Sequence, residues 1–163
     1  MASNLKNLSD FSHIQVGDAK QFKFGIVVSQ WNAQVTGALL NGAVEGLLKH
    51  NALESNIEIV EVPGSYELIS GADILLRNKD FDAVICLGCV IQGETRHFDF
   101  ICDAVANGVA NAALKYGKPV IFGVLTTDNL QQALDRAGGI HGNKGEEAAI
   151  TAIQMAHISA KNA

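Results

Sequence analysis

The run Gly88-Cys89-Val90-Ile91-Gln92-Gly93-Glu94-Thr95-Arg96-His97-Phe98 is where residue types and spacing point most directly to chemistry. Ala83 to Ile91 reads as a buried strand, Gly93 supplies a turn without Cβ conflict, and Thr95 is placed to cap a helix running to Tyr116. Backbone N–H groups at such a helix start attract phosphate, and an imidazole within the first turn can move a proton near neutral pH. A lone histidine is usually an ordinary core or surface residue. His97 stands out because it follows Gly93-Glu94-Thr95 by less than one helical turn, which would set it beside the reacting end of a phosphorylated substrate.

Three other places carry candidate groups. Trp31, the only tryptophan, follows an apolar run, so its ring either stacks on a planar heterocycle or plugs a subunit contact, while Asn32 caps the next helix. Ser65 and Glu67 follow a Pro63-Gly64 turn. Alone they read as a helix cap with a first-turn acid, and toward a ligand with several hydroxyls they become hydrogen-bonding groups for a polyol chain. Arg136 ends one predicted helix and Lys144 opens the next, across a flexible Gly138 to Gly142 link. Their ordinary roles are dipole compensation and solvation, but a guanidinium can also grip a phosphate with two parallel hydrogen bonds, whereas an ammonium offers a compact charge.

The elements that must position these groups alternate. Phe24 to Ser29, Ile57 to Val62, Ala83 to Val90 and Val120 to Leu125 read as strands. Val35 to His50, Tyr66 to Asn78, Phe98 to Tyr116, Asn129 to Ala137 and Gly145 to Lys161 read as helices. Near-continuously apolar strands and right-handed crossovers predict an α/β fold: a three-layer α/β/α sandwich around a flavodoxin-like, four-stranded parallel sheet. Ligands of such sheets bind beyond the carboxyl ends of the strands, where the polar punctuation gathers. Residues 1–21 read as an N-terminal arm, either flexible or an added strand, and residues 22–163 as a single domain.

Composition narrows the function classes. With 163 residues, 48% of them hydrophobic, the chain fits one core. A formal charge of −5 with no basic cluster disfavours nucleic acid or an anionic membrane as partner. No apolar stretch approaches the roughly 18 residues of a membrane span, and the polar start lacks a secretory core, so a cytoplasmic protein is expected. Cys86 and Cys89 resemble a redox pair, yet residues three apart on a strand face opposite sides, so core packing is the better reading for both. His13, His50, His97, His141 and His157 lack zinc-site spacing and no nucleotide-binding glycine motif occurs, so no metal and no cofactor is expected.

With Val62-Pro63-Gly64-Ser65-Tyr66-Glu67 and His141-Gly142-Asn143-Lys144-Gly145, the Gly88 to Phe98 run resembles the 6,7-dimethyl-8-ribityllumazine synthase family, from about Phe24 to the last helix. The resemblance implies condensation of 5-amino-6-(D-ribitylamino)uracil with 3,4-dihydroxy-2-butanone 4-phosphate, releasing orthophosphate and water. It places Trp31 against the ring, Ser65, Tyr66 and Glu67 along the ribityl chain, and Cys89, Val90 and Ile91 at the pyrimidine edge. Glu94 and Thr95 fall on the phosphate loop, His97 on the proton-transfer position, and Phe122, Arg136 and Lys144 on positions supplied by an adjacent subunit.

The resemblance also implies self-association into pentamers and, because the Gly138 to Gly142 link carries no insertion, an icosahedral shell, with riboflavin synthase as a further partner. Several positions depart from the family pattern: Trp31 replaces a common phenylalanine, Gln92 a basic residue, Phe100 a tyrosine and Ile69 a proline. The larger indole would favour a tricyclic flavin, so riboflavin is expected to bind at Trp31. Two other readings stand beside it: a non-catalytic flavin or nucleotide carrier, which would not require His97, Arg136 or Lys144, and a shell-forming structural protein whose pocket has decayed.

Overall fold

The computed structural model describes residues 10–11 and 14–162. Its elements are β1 (Phe24–Ser29), α1 (Ala33–Lys49), a 3₁₀ turn (Glu54–Asn56), β2 (Ile57–Val62), α2 (Leu68–Asn78), β3 (Ala83–Ile91), α3 (His97–Tyr116), β4 (Val120–Thr127), α4 (Leu130–Asp135), β5 (Ala137–Gly139), β6 (Gly142–Asn143) and α5 (Lys144–Lys161). The first four strands form one parallel sheet in the order β2-β1-β3-β4. β5 and β6 form a small antiparallel pair.

The layers follow from the side-chain period of two. Phe24, Ile26 and Val28 of β1 pack with α1 and α5 residues such as Leu39, Leu47 and Ile153. Val27 points the other way, into a cluster with Leu68, Leu75, Val105 and Val109 of α2 and α3. All six β1 residues are buried, as expected of a central parallel strand covered on both faces. The sequence-derived α/β/α sandwich with a four-stranded parallel sheet is the observed fold.

One close approach fixes how the α1/α5 layer packs. The start of α5 crosses α1 so tightly that a Cβ on Gly145 would lie 1.9 Å from the Leu39 carbonyl oxygen. Asn143 secures the crossing: its Oδ1 accepts from Gly145 N–H at 2.8 Å and its Nδ2 donates to the Ala38 carbonyl at 3.0 Å. On the opposite face a charged clamp joins α2 to α3. One Asp73 oxygen accepts from Lys115 Nζ and Tyr116 Oη, both at 2.6 Å, and the other from Arg77 at 2.8 Å. The hydrogen bond from Lys115, then that from Tyr116, holds the Asp73 carboxyl below its ordinary value. A carboxyl depressed in the folded state stabilises above its unfolded-state value, and that contribution is lost as pH falls through the folded one.

Several boundaries differ from the sequence reading. α2 begins at Leu68 instead of Tyr66 because residues 64–67 form a turn, with Glu67 N–H donating to the Gly64 carbonyl. β4 runs on to Thr127 because Thr126 and Thr127 pair with Val90 and Ile91. α4 stops at Asp135, and the expected flexible link at Gly138 to Gly142 belongs to the β5–β6 hairpin. In the arm, residues 1–9 and 12–13, His13 among them, lie outside the described residues. Residues 14–21 form no strand but pack on the core through Val16 and Ala19. Among the described residues no helix is long and apolar enough to cross a membrane.

A methyl group at position 145 must displace the α1 backbone, so Gly145→Ala is expected to cost about 1–3 kcal/mol and lower the thermal midpoint by several degrees. Calorimetry on the purified protein checks this, and an unchanged midpoint would show that the crossing is not tight.

Candidate functional site

The loops after β1, β2 and β3 meet at the carboxyl edge of the sheet. Gln30 N–H donates to the Val62 carbonyl at 2.8 Å and Trp31 N–H to the Pro63 carbonyl at 3.1 Å, so the β1 loop is stitched to the β2 loop. The indole is 68% exposed. It lies against Gly64, where a Cβ would stand 3.0 Å from the indole Cε3. Glu67 Oε2 accepts from Gly64 N–H at 3.0 Å, which braces the same turn. Tyr66 is exposed, whereas Ser65 is buried with its hydroxyl 3.5 Å from the Cys89 carbonyl.

Two expected caps are revised here. Asn32 stands at the N-cap of α1 but makes no side-chain cap; its Nδ2 donates to the Cys89 carbonyl at 3.0 Å. Neither Ser65 nor Glu67 caps α2 by side chain either, since Glu67 itself occupies the cap position and its carboxylate turns back to Gly64.

The β3–α3 loop carries the candidate proton-transfer group. Gln92 N–H donates to the Thr127 carbonyl at 2.8 Å, anchoring the loop to β4. Arg96, not Thr95, occupies the cap position of α3, although the Thr95 hydroxyl still accepts from His97 N–H at 3.4 Å. Arg96 pairs with Asp99 at 3.5 Å and lies over the exposed Phe100 ring. His97 opens α3, exposed to solvent, on the same rim as Trp31, Tyr66 and Glu94.

Arg136 and Lys144 sit together elsewhere, across the β5–β6 hairpin. Arg136 Nη1 and Nη2 donate to the two Glu147 oxygens at 2.7 and 3.2 Å, and Nη1 also donates to the His141 carbonyl at 2.8 Å. Lys144 Nζ reaches Glu147 Oε2 at 3.2 Å. Both side chains of the Arg136–Glu147 pair are only 13% exposed. Guanidinium has five N–H donors. With three engaged, the edge formed by Nε and the remaining Nη2 hydrogen is the one that fits a second oxyanion with two parallel bonds.

Phe122 is half-buried in the middle of β4, paired in register with Cys86, and so lies below the rim that carries Trp31 and His97. Within one chain the structure therefore joins Trp31, Ser65, Tyr66, Glu67, Cys89, Val90, Ile91, Glu94, Thr95 and His97 at one edge. It sets Arg136 with Lys144 at a second place and Phe122 at a third. Sequence reading missed Asn32 as a cross-strand contact, for which local pattern carries no signal. It also missed Glu147, which the Lys144-x-x-Glu147 spacing on a helix could have suggested.

The cysteines bear out the packing reading. Cys86 lies in the α2/α3 cluster and Cys89 in the α1/α5 cluster, on opposite faces of β3. Burial pushes their thiols up to about 12 and about 11, so neither offers a thiolate near neutral pH. Among the described residues no three His, Cys, Asp or Glu side chains group as a metal site would need.

Residues 21–160 match the family model for 6,7-dimethyl-8-ribityllumazine synthase. A protein of that name from Cytophaga hutchinsonii is 59% identical, over 95% of this chain and 97% of its own length. Others from Flavobacterium johnsoniae and Parabacteroides distasonis are 52% and 50% identical, over 97% and 98% of this chain and 83% and 100% of theirs.

The Arg136–Glu147 pair is expected to be energetically coupled. A double-mutant cycle with Arg136→Gln and Glu147→Gln, read by urea unfolding, should give a coupling of about 1–3 kcal/mol. A value within error of zero would mean the pair is effectively solvated.

Proposed function

This chain belongs to the 6,7-dimethyl-8-ribityllumazine synthase family, and from that membership we propose how its residues divide the work. The reaction condenses 5-amino-6-(D-ribitylamino)uracil with 3,4-dihydroxy-2-butanone 4-phosphate to 6,7-dimethyl-8-ribityllumazine, releasing orthophosphate and water, in riboflavin biosynthesis. The observation that carries the division of roles is the shared rim: an exposed indole and a histidine at a helix start stand on adjoining loops of one sheet edge.

In this reading Trp31 stacks on the pyrimidine, and Ser65, Tyr66 and Glu67 follow the ribityl chain. The backbone of Cys89, Val90 and Ile91 faces the pyrimidine edge. Glu94 and Thr95 border the phosphate at the start of α3, where N–H groups and the helix dipole favour an anion. The ring amine attacks the ketone, an imine forms with loss of water, phosphate leaves, and the ring closes with loss of a second water. His97 moves protons in these steps, and much of the remaining acceleration comes from holding two substrates in register.

Phe122, against the ring substrate, and Arg136 and Lys144, at the phosphate of the butanone, complete the site of a neighbouring copy. Their separation from the Trp31 rim within one chain supports this, as does the exposure of Trp31, Tyr66, Phe100 and Ile140, apolar surface that a partner would cover. Pentamers gathered into an icosahedral shell are the proposed assembly, the cytoplasm the proposed location, and riboflavin synthase the proposed protein partner. Residues 22–163 act as one domain and residues 1–21 as its arm. The exposed indole is also wide enough a platform for riboflavin.

Two measurements test this division. His97→Ala is expected to lower kcat by about 10²–10⁴ while condensation stays above background, followed by lumazine absorbance and phosphate release together. A rate equal to the parent's would remove His97 from the chemistry. Sedimentation should show a species far larger than a pentamer. Pentamers alone would refute the shell, and monomers with full activity would refute the shared site.

A further inference from the structure

We propose that Asn32 is a positioning residue that fixes the Trp31 wall for the ring substrate. The inference rests on the reading that Trp31 stacks on that substrate. Asn32 is left-handed (φ 60, ψ 45), a conformation that costs most L-residues about 1–2 kcal/mol and that asparagine tolerates best after glycine. A strained residue at a helix start would ordinarily use its side chain to cap the helix. This one instead reaches 57 positions along the chain to donate to the Cys89 carbonyl at 3.0 Å.

The cause is a mismatch in strand length. β1 ends at Ser29 and its pairing with β3 ends at Val28↔Leu87, yet β3 continues to Ile91. Past Leu87 the β1-facing side of β3 has lost its strand partner, and an unmet buried carbonyl costs about 1–3 kcal/mol. The Asn32 carboxamide takes the place of the missing strand residue, and the Ser65 hydroxyl approaches the same oxygen from the β2 loop.

Trp31 is thereby held on both flanks. Gln30 and Trp31 are bonded to Val62 and Pro63 on the β2 side, and Asn32 is bonded to Cys89 on the β3 side. The indole rests on Gly64 between them. Among the described residues, the Asn32 bond is the side-chain hydrogen bond that ties this turn to β3.

Asn32→Asp keeps shape and left-handed tolerance but cannot donate to a carbonyl, and Asn32→Gly keeps the backbone while deleting the bond. In both, KM for 5-amino-6-(D-ribitylamino)uracil should rise about fivefold to tenfold. KM for the butanone phosphate and kcat should stay within about twofold. Because Trp31 is the only tryptophan, its fluorescence reports the wall directly: anisotropy should fall and acrylamide quenching rise. Should Asn32→Asp fail to fold, Asn32→Gly carries the same readouts. Trp31→Ala is measured alongside. If it raises the same KM while both Asn32 variants match the parent in KM and fluorescence, the positioning role is overturned. If Trp31→Ala leaves that KM unchanged, the stacking role falls and this proposal with it.

Discussion

Parallel pairing of β1 with β2 on one side and β3 on the other is the constraint on which the rest of the structure depends. Four strands that all point the same way deliver four chain exits to one edge, and each exit must turn away from the sheet. Those turns cannot be apolar, because their backbone groups have left the ladder and need partners. The polar residues of the rim are thus demanded first by the fold. Their chemistry is an elaboration of that demand, as Ser65 and Asn32 show by serving the Cys89 carbonyl.

The two helical layers hold the sheet differently, and the difference bears on the site. α1 and α5 meet through small residues at backbone distance, which leaves no slack at the start of α5. Since Asn143 and Lys144 lie at that start, the β5–β6 hairpin and the basic pair flanking it inherit the rigidity of the crossing. α2 and α3 are joined by larger apolar residues and by the Asp73 clamp at the far end of α3 from His97. The helix that presents His97 is therefore fixed at its distant end by charge and along its length by Val105 and Val109, while its first turn is exposed to solvent.

Much of this was legible in the sequence where one period dominates. Phe24 to Ser29 and Ile57 to Val62 fall at the same limits in both readings because each apolar run is bounded by residues that cannot continue it. What escaped were features set by distant partners. Nothing local shows that Thr126 and Thr127 belong to β4, since only their pairing with Val90 and Ile91 makes them so. The glycine-rich hairpin carries too few side chains to display a strand period. Asn32 has the composition of a cap and the position of a cap, and only the extra length of β3 diverts it. Phe122 reads as core because an apolar strand residue usually is. Its half-burial follows from β4 lying at the sheet edge.

Arg136 poses the sharpest conflict between stability and the proposed phosphate role, because its guanidinium is already bound to the Glu147 carboxylate. The geometry resolves the conflict by dividing the donors. Glu147 and the His141 carbonyl occupy one end of the group, and the edge bearing Nε remains oriented by those same bonds. An arginine fixed in this way loses less side-chain entropy when a phosphate arrives than a mobile one would, at the expense of a field reduced by the nearby negative charge. That reduction is useful for an enzyme that must also release orthophosphate, since a site with both Arg136 and Lys144 uncompensated would hold the product as firmly as the substrate.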